Sequence, residues 1–314
     1  MVFFDILSLF AAFILIGIGA VLVVNSIKRI SRSLRIPAFL ISFVLLGFLS
    51  TLPEISVGVS AVYLKAPQIF MGNLIGGVVI LFLLVIPIYT ISIKKIDIRE
   101  NQITKTNLIL TLLVIAAPAL LIIDTVVTIY DSLIMITLYF LLVVNLYKTP
   151  GTYEKLSQAI SHHNYRGKDI IKIFLGTSLI LISSKLIVDK TILISSELNV
   201  STFIISLIMV SIGTNMPELS LAVVSVVKKS KDVALGSYLG SAAFNTLTFG
   251  VLSLINGKYV FTGNGYSSTV LFLIFSLIVF YYLLKTQNKL TRGEAFILIF
   301  VYCLFTFSEI IINF

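Results

Sequence analysis

The sequence predicts an all-α polytopic membrane protein with ten transmembrane helices, arranged as two inverted five-helix repeats with the N-terminus and C-terminus outside. The prediction depends on composition, on the spacing of apolar runs and on the placement of basic residues. Of the 314 residues, 58% are hydrophobic and only 12% are charged, and the mean hydropathy is +1.09. These values lie far from those of an ordinary water-soluble domain of this length.

Ten apolar stretches are long enough to be membrane spans. About 20 residues of helix cross the roughly 30 Å hydrocarbon core. The stretches are continuous runs of Leu, Ile, Val and Phe, which favours helices over the ten-residue polar and apolar alternation of barrel strands. Spans 1 to 10 are predicted at about 6–27, 37–64, 69–92, 108–124, 127–147, 170–189, 199–227, 232–255, 266–285 and 293–313.

Basic residues are distributed unequally between the predicted loops. Loops that follow odd-numbered spans hold 19 Lys and Arg residues, and loops that follow even-numbered spans hold 3. The positive-inside rule therefore places the odd-numbered loops in the cytoplasm and both termini outside a cell membrane that the chain crosses many times. Anionic lipid at the cytoplasmic surface accounts for the net charge of +9. No folded basic domain is recognisable, so no nucleic-acid partner is expected.

The spans divide into two equal groups of five. Residues 1–148 are predicted to form the first repeat, 149–169 a cytoplasmic linker and 170–314 the second repeat. Because five is odd, the second repeat must enter the membrane in the opposite sense from the first. Inverted repeats of this kind are typical of secondary transporters, whose substrate sites lie near the midplane between the repeats.

Two glutamates lie inside apolar spans, and each follows a proline: Pro53-Glu54 and Pro217-Glu218. A carboxylate inside the bilayer is costly, so it marks a functional site by default. The glutamates are 164 residues apart, about half the chain, and other pairs share this offset. The further pairs are Ser50/Thr214, Ser56/Ser220, Val59/Val223, Val62/Val226, Lys65/Lys229, Gly72/Gly236 and Gly76/Gly240.

The prolines suggest how these spans could bind a cation. Proline has no N–H group and clashes with the carbonyl four residues earlier, which frees carbonyls near Leu49 and Gly213 and distorts the turns containing Ser50 and Thr214. Two carboxylates, two hydroxyls and loosened carbonyls make an oxygen cage suited to Ca²⁺, which takes six to eight oxygens, and to Na⁺. Alternatively, each Pro-Glu is a kink whose acid faces a water-filled crevice.

Spans 3 and 8 are expected to supply the other side of the cage. Ser237, Ser241 and Asn245 recur every fourth residue and form a polar stripe on one face of span 8. The equivalent positions in span 3 are Asn73, Gly77 and Leu81, of which only Asn73 has a polar side chain. Ordinary helix packing and interhelical hydrogen bonding are the alternative explanation.

Segments 47–81 and 211–245 resemble the two α-repeats of the cation/Ca²⁺ exchanger superfamily, in particular its sodium/calcium exchanger branch. Two motifs carry the resemblance. The first is Ser50-Thr51-Leu52-Pro53-Glu54, with Thr214-Asn215-Met216-Pro217-Glu218 as its second copy. The second motif is a glycine, a small polar residue, two apolar residues, Gly-Ser, and an Asn or Asp four positions beyond that Ser. It is matched by Gly236, Ser237, Gly240, Ser241 and Asn245.

The resemblance implies an antiporter in which Na⁺ and Ca²⁺ compete, by alternating access, for a site shared by Glu54 and Glu218. It implies no enzymatic activity and no cofactor, only transported ions, with a single chain as the transport unit. The implied metal ligands are Ser50, Thr51, Glu54, Asn73, Thr214, Asn215, Glu218, Ser237, Ser241 and Asn245. The chain departs from the family pattern at Gly77, Leu81, Asn215 and Ala242, which leaves the Na⁺ site of the first repeat short of ligands.

Three other functions stay open at this stage. The same fold could couple a divalent cation to H⁺ or to another cation, and the ion dependence of flux would distinguish these possibilities. An ion channel would show conductance far above carrier rates. An intramembrane enzyme could use paired carboxylates as acid and base, although no nucleophile or metal-binding His set accompanies them in the sequence.

Charged residues elsewhere in the apolar segments have simpler interpretations. Lys185 and Glu309 lie near span ends and are expected to extend toward the membrane interface. Asp124 and Asp131 are expected to bound the short external turn between spans 4 and 5.

Overall fold

A computed structural model describes residues 2–31, 43–44, 47–97, 104–121, 123–148, 167–216, 218–219, 234–257, 260–261, 266–287 and 289–313. Some residues of the repeated motif lie outside this part of the chain, namely Pro217, Ser220, Val223, Val226 and Lys229. Residues 149–166 of the predicted linker also lie outside it.

Helices make up most of the described chain. In order they are α1 Val2–Ser31, α2 Gly47–Ser50, α3 Leu52–Tyr63, α4 Pro67–Ile80, α5 Ile86–Ile93, α6 Lys105–Leu121, α7 Ile129–Lys148, α8 Gly167–Leu198, α9 Thr202–Ile205, α10 Ser211–Thr214, α11 Ala234–Asn256, α12 Tyr266–Gln287 and α13 Arg292–Asn313. π-Helical turns, Leu81–Val85 and Ser206–Val210, join α4 to α5 and α9 to α10. The strands are β1 Lys95–Asp97, β2 Val126–Val127, β3 Val260–Phe261 and β4 Lys289–Thr291.

Every predicted span contains a described helix, and within the described residues six helical segments are long and apolar enough to cross a membrane. They are Phe4–Val23, Pro67–Ile93, Ile129–Lys148, Leu235–Asn256, Ser268–Lys285 and Arg292–Ile311. Lys105–Leu121 and Thr202–Thr214 are shorter apolar helices. The helical membrane fold is therefore confirmed, while the count of ten spans and the orientation of the termini stay predictions.

The distribution of side chains is the reverse of that in a water-soluble protein. Large apolar side chains cover the outside, with Ile14 64%, Leu271 68% and Phe300 62% exposed. Carboxyl, amide and hydroxyl groups lie inside, including Glu54 and Asn73 at 0% exposure. Such an outer surface is suited to lipid, and the buried polar groups mark the functional interior.

Glycines bring the two halves of the chain into direct backbone contact. A Cβ atom on Gly76 would lie 2.2 Å from the carbonyl oxygen of Leu207, and one on Gly240 would lie 2.0 Å from that of Phe43. The two glycines are 164 residues apart, and so are the two carbonyls that they touch. The segment containing α4 therefore packs on residues 206–210 in the way that α11 packs on Phe43.

Two antiparallel ribbons tie the halves together a second time. β1 pairs with β4, and β2 pairs with β3. The 164-residue offset relates β1 to β3 and β2 to β4, so the two ribbons also correspond. The chain runs from β1 to β2 through α6, a 17-residue helix about 25 Å long. Each ribbon thus joins one strand from each half.

Glu309 does not reach the protein surface, so the expectation that it extends toward the membrane interface was wrong. Its side chain is fully buried, and its Oε1 accepts hydrogen bonds of 3.0 Å from the hydroxyls of Ser268 and Thr269. The start of α12 therefore satisfies this carboxylate within the protein. Lys185 is exposed as expected.

The turn between α6 and α7 is bounded by the two aspartates, as expected. Asp131 Oδ2 accepts hydrogen bonds from the backbone N–H and the hydroxyl of Thr128 at the start of α7. Asp124 Oδ1 accepts one from the backbone N–H of Val126. These contacts satisfy backbone groups that the helix end leaves without partners.

Candidate cation site

Two matched breaks in the helices create the site. Thr51 separates α2 from α3 with φ −85° and ψ 6°, and Asn215 follows α10 with φ −87° and ψ 7°. The backbone N–H groups of Thr51 and Asn215 reach back 3.2 Å to the carbonyls of Gly47 and Ser211. Each break is thus centred one residue after Ser50 or Thr214. In the first half, Pro53 occupies the first turn of α3, where a missing N–H costs little.

Widened turns precede both breaks. Phe43 and Val44 are π-helical in the first half, and Ser206–Val210 are π-helical in the second. Single π turns inside α-helices occur often at functional sites, because they disturb the regular hydrogen bonding of the backbone. No pattern in the sequence predicts these turns.

The two carboxylates meet at the centre of the site. Glu54 and Glu218 are 0% and 1% exposed, and they lie close enough for the charge of Glu218 to act on Glu54. None of their four oxygens has a hydrogen-bond partner of normal geometry. The hydroxyls of Ser50 and Ser241 lie beside the Glu218 carboxylate without completing such a bond.

Neutral polar side chains from the helix breaks and from α4 form hydrogen bonds in the same interior. The Thr214 hydroxyl donates a 2.9 Å hydrogen bond to Asn73 Oδ1, which joins α10 to α4. The hydroxyls of Ser50 and Thr51 donate to the carbonyls of Gly47 and Phe48. Asn73 of α4 is thus joined to the residue before the break at Asn215, and its role as a cation ligand stays a prediction.

All ten residues expected from the sequence are at least nine-tenths buried. Ser237, Ser241 and Asn245 follow one another on successive turns of α11, with Ser237 the least enclosed at 9% exposure. Leu81 is buried at the start of a π-helical turn and has no side-chain oxygen that could bind a cation. Unpartnered buried polar atoms in the cluster are Glu54 Oε1 and Oε2, Glu218 Oε1 and Oε2, Asn73 Nδ2, Asn215 Oδ1, Ser241 Oγ, and Asn245 Oδ1 and Nδ2.

This set of atoms has a plain chemical consequence. Buried polar groups are almost always hydrogen-bonded, and buried charges are paired or coordinate metals. Within the described parts of the chain, no group of three or more His, Cys, Asp or Glu side chains is found. A cation between Glu54 and Glu218 would therefore need hydroxyl, amide or carbonyl oxygens beside the carboxylates, and the hydroxyls of Ser50 and Ser241 already lie beside Glu218.

Two residues of the site were missed or undervalued from the sequence. The Tyr238 hydroxyl is buried on α11 without a hydrogen-bond partner, and its ring lies 6.0 Å from that of Tyr89. Its position three residues before Ser241 places it on the polar side of α11. From the sequence, Gly77 is only a position without a polar side chain. In the structure, it lies directly against the amides of Asn215 and Asn245.

A buried carboxylate pair at matched helix breaks, inside helices with an apolar outer surface, defines a membrane protein with a candidate intramembrane cation site. Comparison with known sequences agrees with this class. The chain belongs to the sodium/calcium exchanger protein family, whose sequence model matches residues 4–148 and 168–310.

Curated relatives match the chain at low identity, and two of those described next match about three quarters of it. CaxA of Alkalimonas amylolytica is 28% identical over 250 residues, which is 75% of this chain and 78% of CaxA. The inner membrane protein YrbG of Escherichia coli is 24% identical over 258 residues, or 77% of this chain and 79% of YrbG. The sodium/calcium exchanger MaX1 of Methanosarcina acetivorans is 27% identical over 139 residues, or 44% of this chain and 39% of MaX1.

The fold is shared with a solved structure. The sodium-calcium exchanger NCX_Mj, in crystals soaked with Na⁺ and Sr²⁺, superimposes with a TM-score of 0.67 and 22% identity. The superposition covers 97% of this chain and 98% of that chain.

Proposed function

We propose that this chain is a secondary active antiporter of the cell membrane that exchanges Ca²⁺ for Na⁺ at one site. The observation that carries the proposal is the pair of fully buried carboxylates, Glu54 and Glu218, whose four oxygens have no hydrogen-bond partner of normal geometry. Two negative charges balance one divalent cation, and four carboxylate oxygens plus neighbouring neutral oxygens reach the coordination number of Ca²⁺. The family and the name of MaX1 support Na⁺ as the counter-ion.

Inverted repeats are part of the proposal. The matched breaks at Thr51 and Asn215, the matched glycine contacts and the exchanged strand pairs support two copies of opposite orientation. Basic residues Lys95, Lys289 and Arg292 cluster at the β1–β4 ribbon, and Arg292 Nε donates to the carbonyl of Ile91 there. By the positive-inside rule this end faces the cytoplasm, which places both termini outside.

Competition for the carboxylates makes the exchange obligatory. Na⁺ and Ca²⁺ use the same pair of glutamates, so one species must leave before the other binds. The ligands Ser50, Thr51, Asn73, Thr214, Asn215, Ser237, Ser241 and Asn245 complete the coordination in this mechanism. A downhill Na⁺ gradient then drives Ca²⁺ outward, and no covalent chemistry is required.

Access to the site alternates, in this proposal, when α1 and α8 slide over the other helices. The two helices pack closely on each other, because Cβ atoms on Gly19 and Gly176 would each lie 2.7 Å from the other glycine's carbonyl oxygen. Lys190 Nζ and Asp5 Oδ1 form an ion pair near the other end of the contact. These contacts support movement of α1 and α8 as one body.

Uptake of ⁴⁵Ca²⁺ into Na⁺-loaded proteoliposomes tests the exchange. An outward Na⁺ gradient should raise uptake well above that of Na⁺-free vesicles at equal ionic strength. Equal uptake in the two preparations would reject sodium coupling.

Coupling to H⁺ or another cation is the second candidate. Gly77 and Leu81 remove two polar positions from the first half, and that specific feature weakens the case for ordinary Na⁺ coupling. The same vesicles with an imposed pH gradient, or loaded with K⁺ or Li⁺, distinguish these functions. Flux driven by the pH gradient alone would favour the proton-coupled alternative.

A further inference from the structure

The two sides of the carboxylate pair are built from different chemistry. The 164-residue offset relates Thr51 to Asn215 and Ser241 to Gly77. We call Thr51 and Ser241 the hydroxyl pole, and Asn215 and Gly77 the amide pole. On each side a helix break faces a neighbouring helix. At the hydroxyl pole, the backbone N of Ser241 lies against Gly47, one turn before Thr51. At the amide pole, Gly77 lies against Asn215.

Gly77 provides the space for two amide groups. A Cβ atom at this position would lie 3.2 Å from Asn215 Nδ2 and 3.3 Å from Asn245 Nδ2. Both distances are tight for carbon, so a larger side chain would displace an amide. At the corresponding position of the hydroxyl pole the chain has a serine, Ser241, and the residue that corresponds to Asn215 there is the shorter Thr51. Small and large residues have thus exchanged places between the poles.

The orientation of the Asn215 amide follows from its hydrogen bond. Its Nδ2 donates to the Ser211 carbonyl at 2.9 Å, and because a carbonyl can only accept, the NH₂ group must face it. The Oδ1 atom is therefore on the other side of the amide, where it is buried without a partner. An unpaired amide oxygen in a dry interior is costly unless a ligand binds it.

We infer that Gly77 and Asn215 form a coupled specificity element for a monovalent alkali cation. The Asn215 amide fills the volume that Gly77 leaves and contributes Oδ1 as a ligand where a hydroxyl would otherwise stand. A neutral oxygen supplies a hard ligand without adding charge, which suits a monovalent ion beside the two carboxylates. The inference rests on the proposed function only in treating the polar interior as a cation site.

A double-mutant cycle tests the coupling. The variants are Asn215→Thr, Gly77→Ser and the double variant Gly77→Ser/Asn215→Thr, which copies the hydroxyl pole. Thr51 has nearly the same backbone angles as Asn215, so threonine fits the break. Gly293→Ser is the matched control, because nothing lies within 4 Å of a Cβ atom there.

The readout is thermal unfolding of the purified full chain in NaCl, LiCl or KCl, with choline chloride holding ionic strength constant. A cation that binds the folded state raises the unfolding temperature with its concentration. Each single variant should raise the half-stabilising Na⁺ concentration by about tenfold, while the double variant should lie within about threefold of wild type. Gly293→Ser should match the wild type.

Several outcomes would overturn the inference. The first is a double variant whose half-stabilising Na⁺ concentration rises by the product of the two single effects. The second is a pair of single variants whose half-stabilising Na⁺ concentrations equal that of the wild type. The third is a wild type whose unfolding temperature no alkali cation raises. If Gly77→Ser does not fold, the double variant must still bind Na⁺ more tightly than Asn215→Thr, or the coupling is rejected. Stabilisation that follows the predicted pattern without Na⁺-driven Ca²⁺ flux would reject the exchange and keep the specificity element.

Discussion

The helices around the carboxylates and the α1–α8 pair are held together in different ways. In the first group, which we call the central bundle (α2, α3, α4, α10, α11 and the π-helical turns at 43–44 and 206–210), glycines place backbone directly against backbone, as at Gly76 against Leu207 and Gly240 against Phe43. The α1–α8 pair is just as close within itself, through Gly19 and Gly176. Its contacts with the bundle include side-chain contacts, such as the Phe13 ring on Gly213 and the 3.0 Å hydroxyl pair Ser60–Ser184.

This difference indicates where the molecule can change shape. Backbone-to-backbone packing has no side chains that could adjust, so the bundle keeps the two halves of the site in fixed relation. Apolar side-chain contacts between the pair and the bundle can be exchanged at low cost as helices shift. The comparison therefore assigns ion binding to the bundle and movement to the pair, and four predictions test that division.

The largest effect is expected from removing one charge in the bundle. Glu54→Gln and Glu218→Gln should each abolish Ca²⁺ binding measured by calorimetry, because a single carboxylate cannot balance a buried divalent cation. Both variants should fold, since glutamine has the shape of glutamate. Glu309→Gln is the matched control, because that buried carboxylate is satisfied by Ser268 and Thr269 and should leave Ca²⁺ binding intact. Retained binding in either site variant would contradict the shared site.

The second-largest effect is expected from adding one methyl group where Gly76 contacts the Leu207 carbonyl. Gly76→Ala places a Cβ atom 2.2 Å from a backbone oxygen that cannot move aside alone, so we expect a loss of about 2 kcal/mol or more in stability. The midpoint of thermal unfolding and the folded fraction in size-exclusion chromatography measure it. Gly17→Ala, which meets nothing within 4 Å, should leave both unchanged. Equal behaviour of the two variants would mean that the bundle is less rigid than we infer.

A methyl group between the pair and the bundle should impair movement more than binding. A Cβ atom on Gly213 would lie 2.2 Å from the Phe13 ring, so Gly213→Ala should slow Ca²⁺ flux on the order of tenfold with Ca²⁺ binding retained. Phe13→Ala/Gly213→Ala should recover much of the flux, because the smaller side chain restores the space. Loss of binding together with flux would show that Gly213 belongs to the site and not to the moving contact.

The smallest effect is expected within the pair. Lys190 and Asp5 are 23% and 11% exposed, so neutralising either one by Lys190→Gln or Asp5→Asn should cost about 1 kcal/mol of stability. The double variant should cost no more than the singles, because the interaction is already absent. Additive losses in chemical or thermal unfolding would indicate that the two charges act independently.

Much of the site was predictable because membrane burial leaves strong marks in a sequence. A glutamate after a proline inside an apolar run is conspicuous, and its recurrence at a fixed offset identified Glu54, Glu218 and their hydroxyl neighbours. The polar stripe Ser237, Ser241 and Asn245 was visible from its four-residue period. These signals are local, so they survive without knowledge of the fold.

Other features depended on contacts between distant segments. Glu309 resembles a residue at a span end, and only the packing of α13 on α12 shows that two hydroxyls bury it. Gly77 has no chemistry of its own, and its meaning lies in the amides that approach it. The strand pairs that relate the two halves are two or three residues long, too short for a pattern.

The sequence by itself determined that this is a helical membrane protein with a repeated pair of buried acids, because hydropathy, charge bias and the 164-residue offset are properties of the chain alone. The tertiary structure decided how the halves meet: which glycine touches which carbonyl, where the breaks lie, and that the Asn215 amide occupies the space beside Gly77. Those facts depend on close approach of residues more than 100 positions apart. Van der Waals packing over a few tenths of an ångström settles such approach, and no periodicity in the sequence records it.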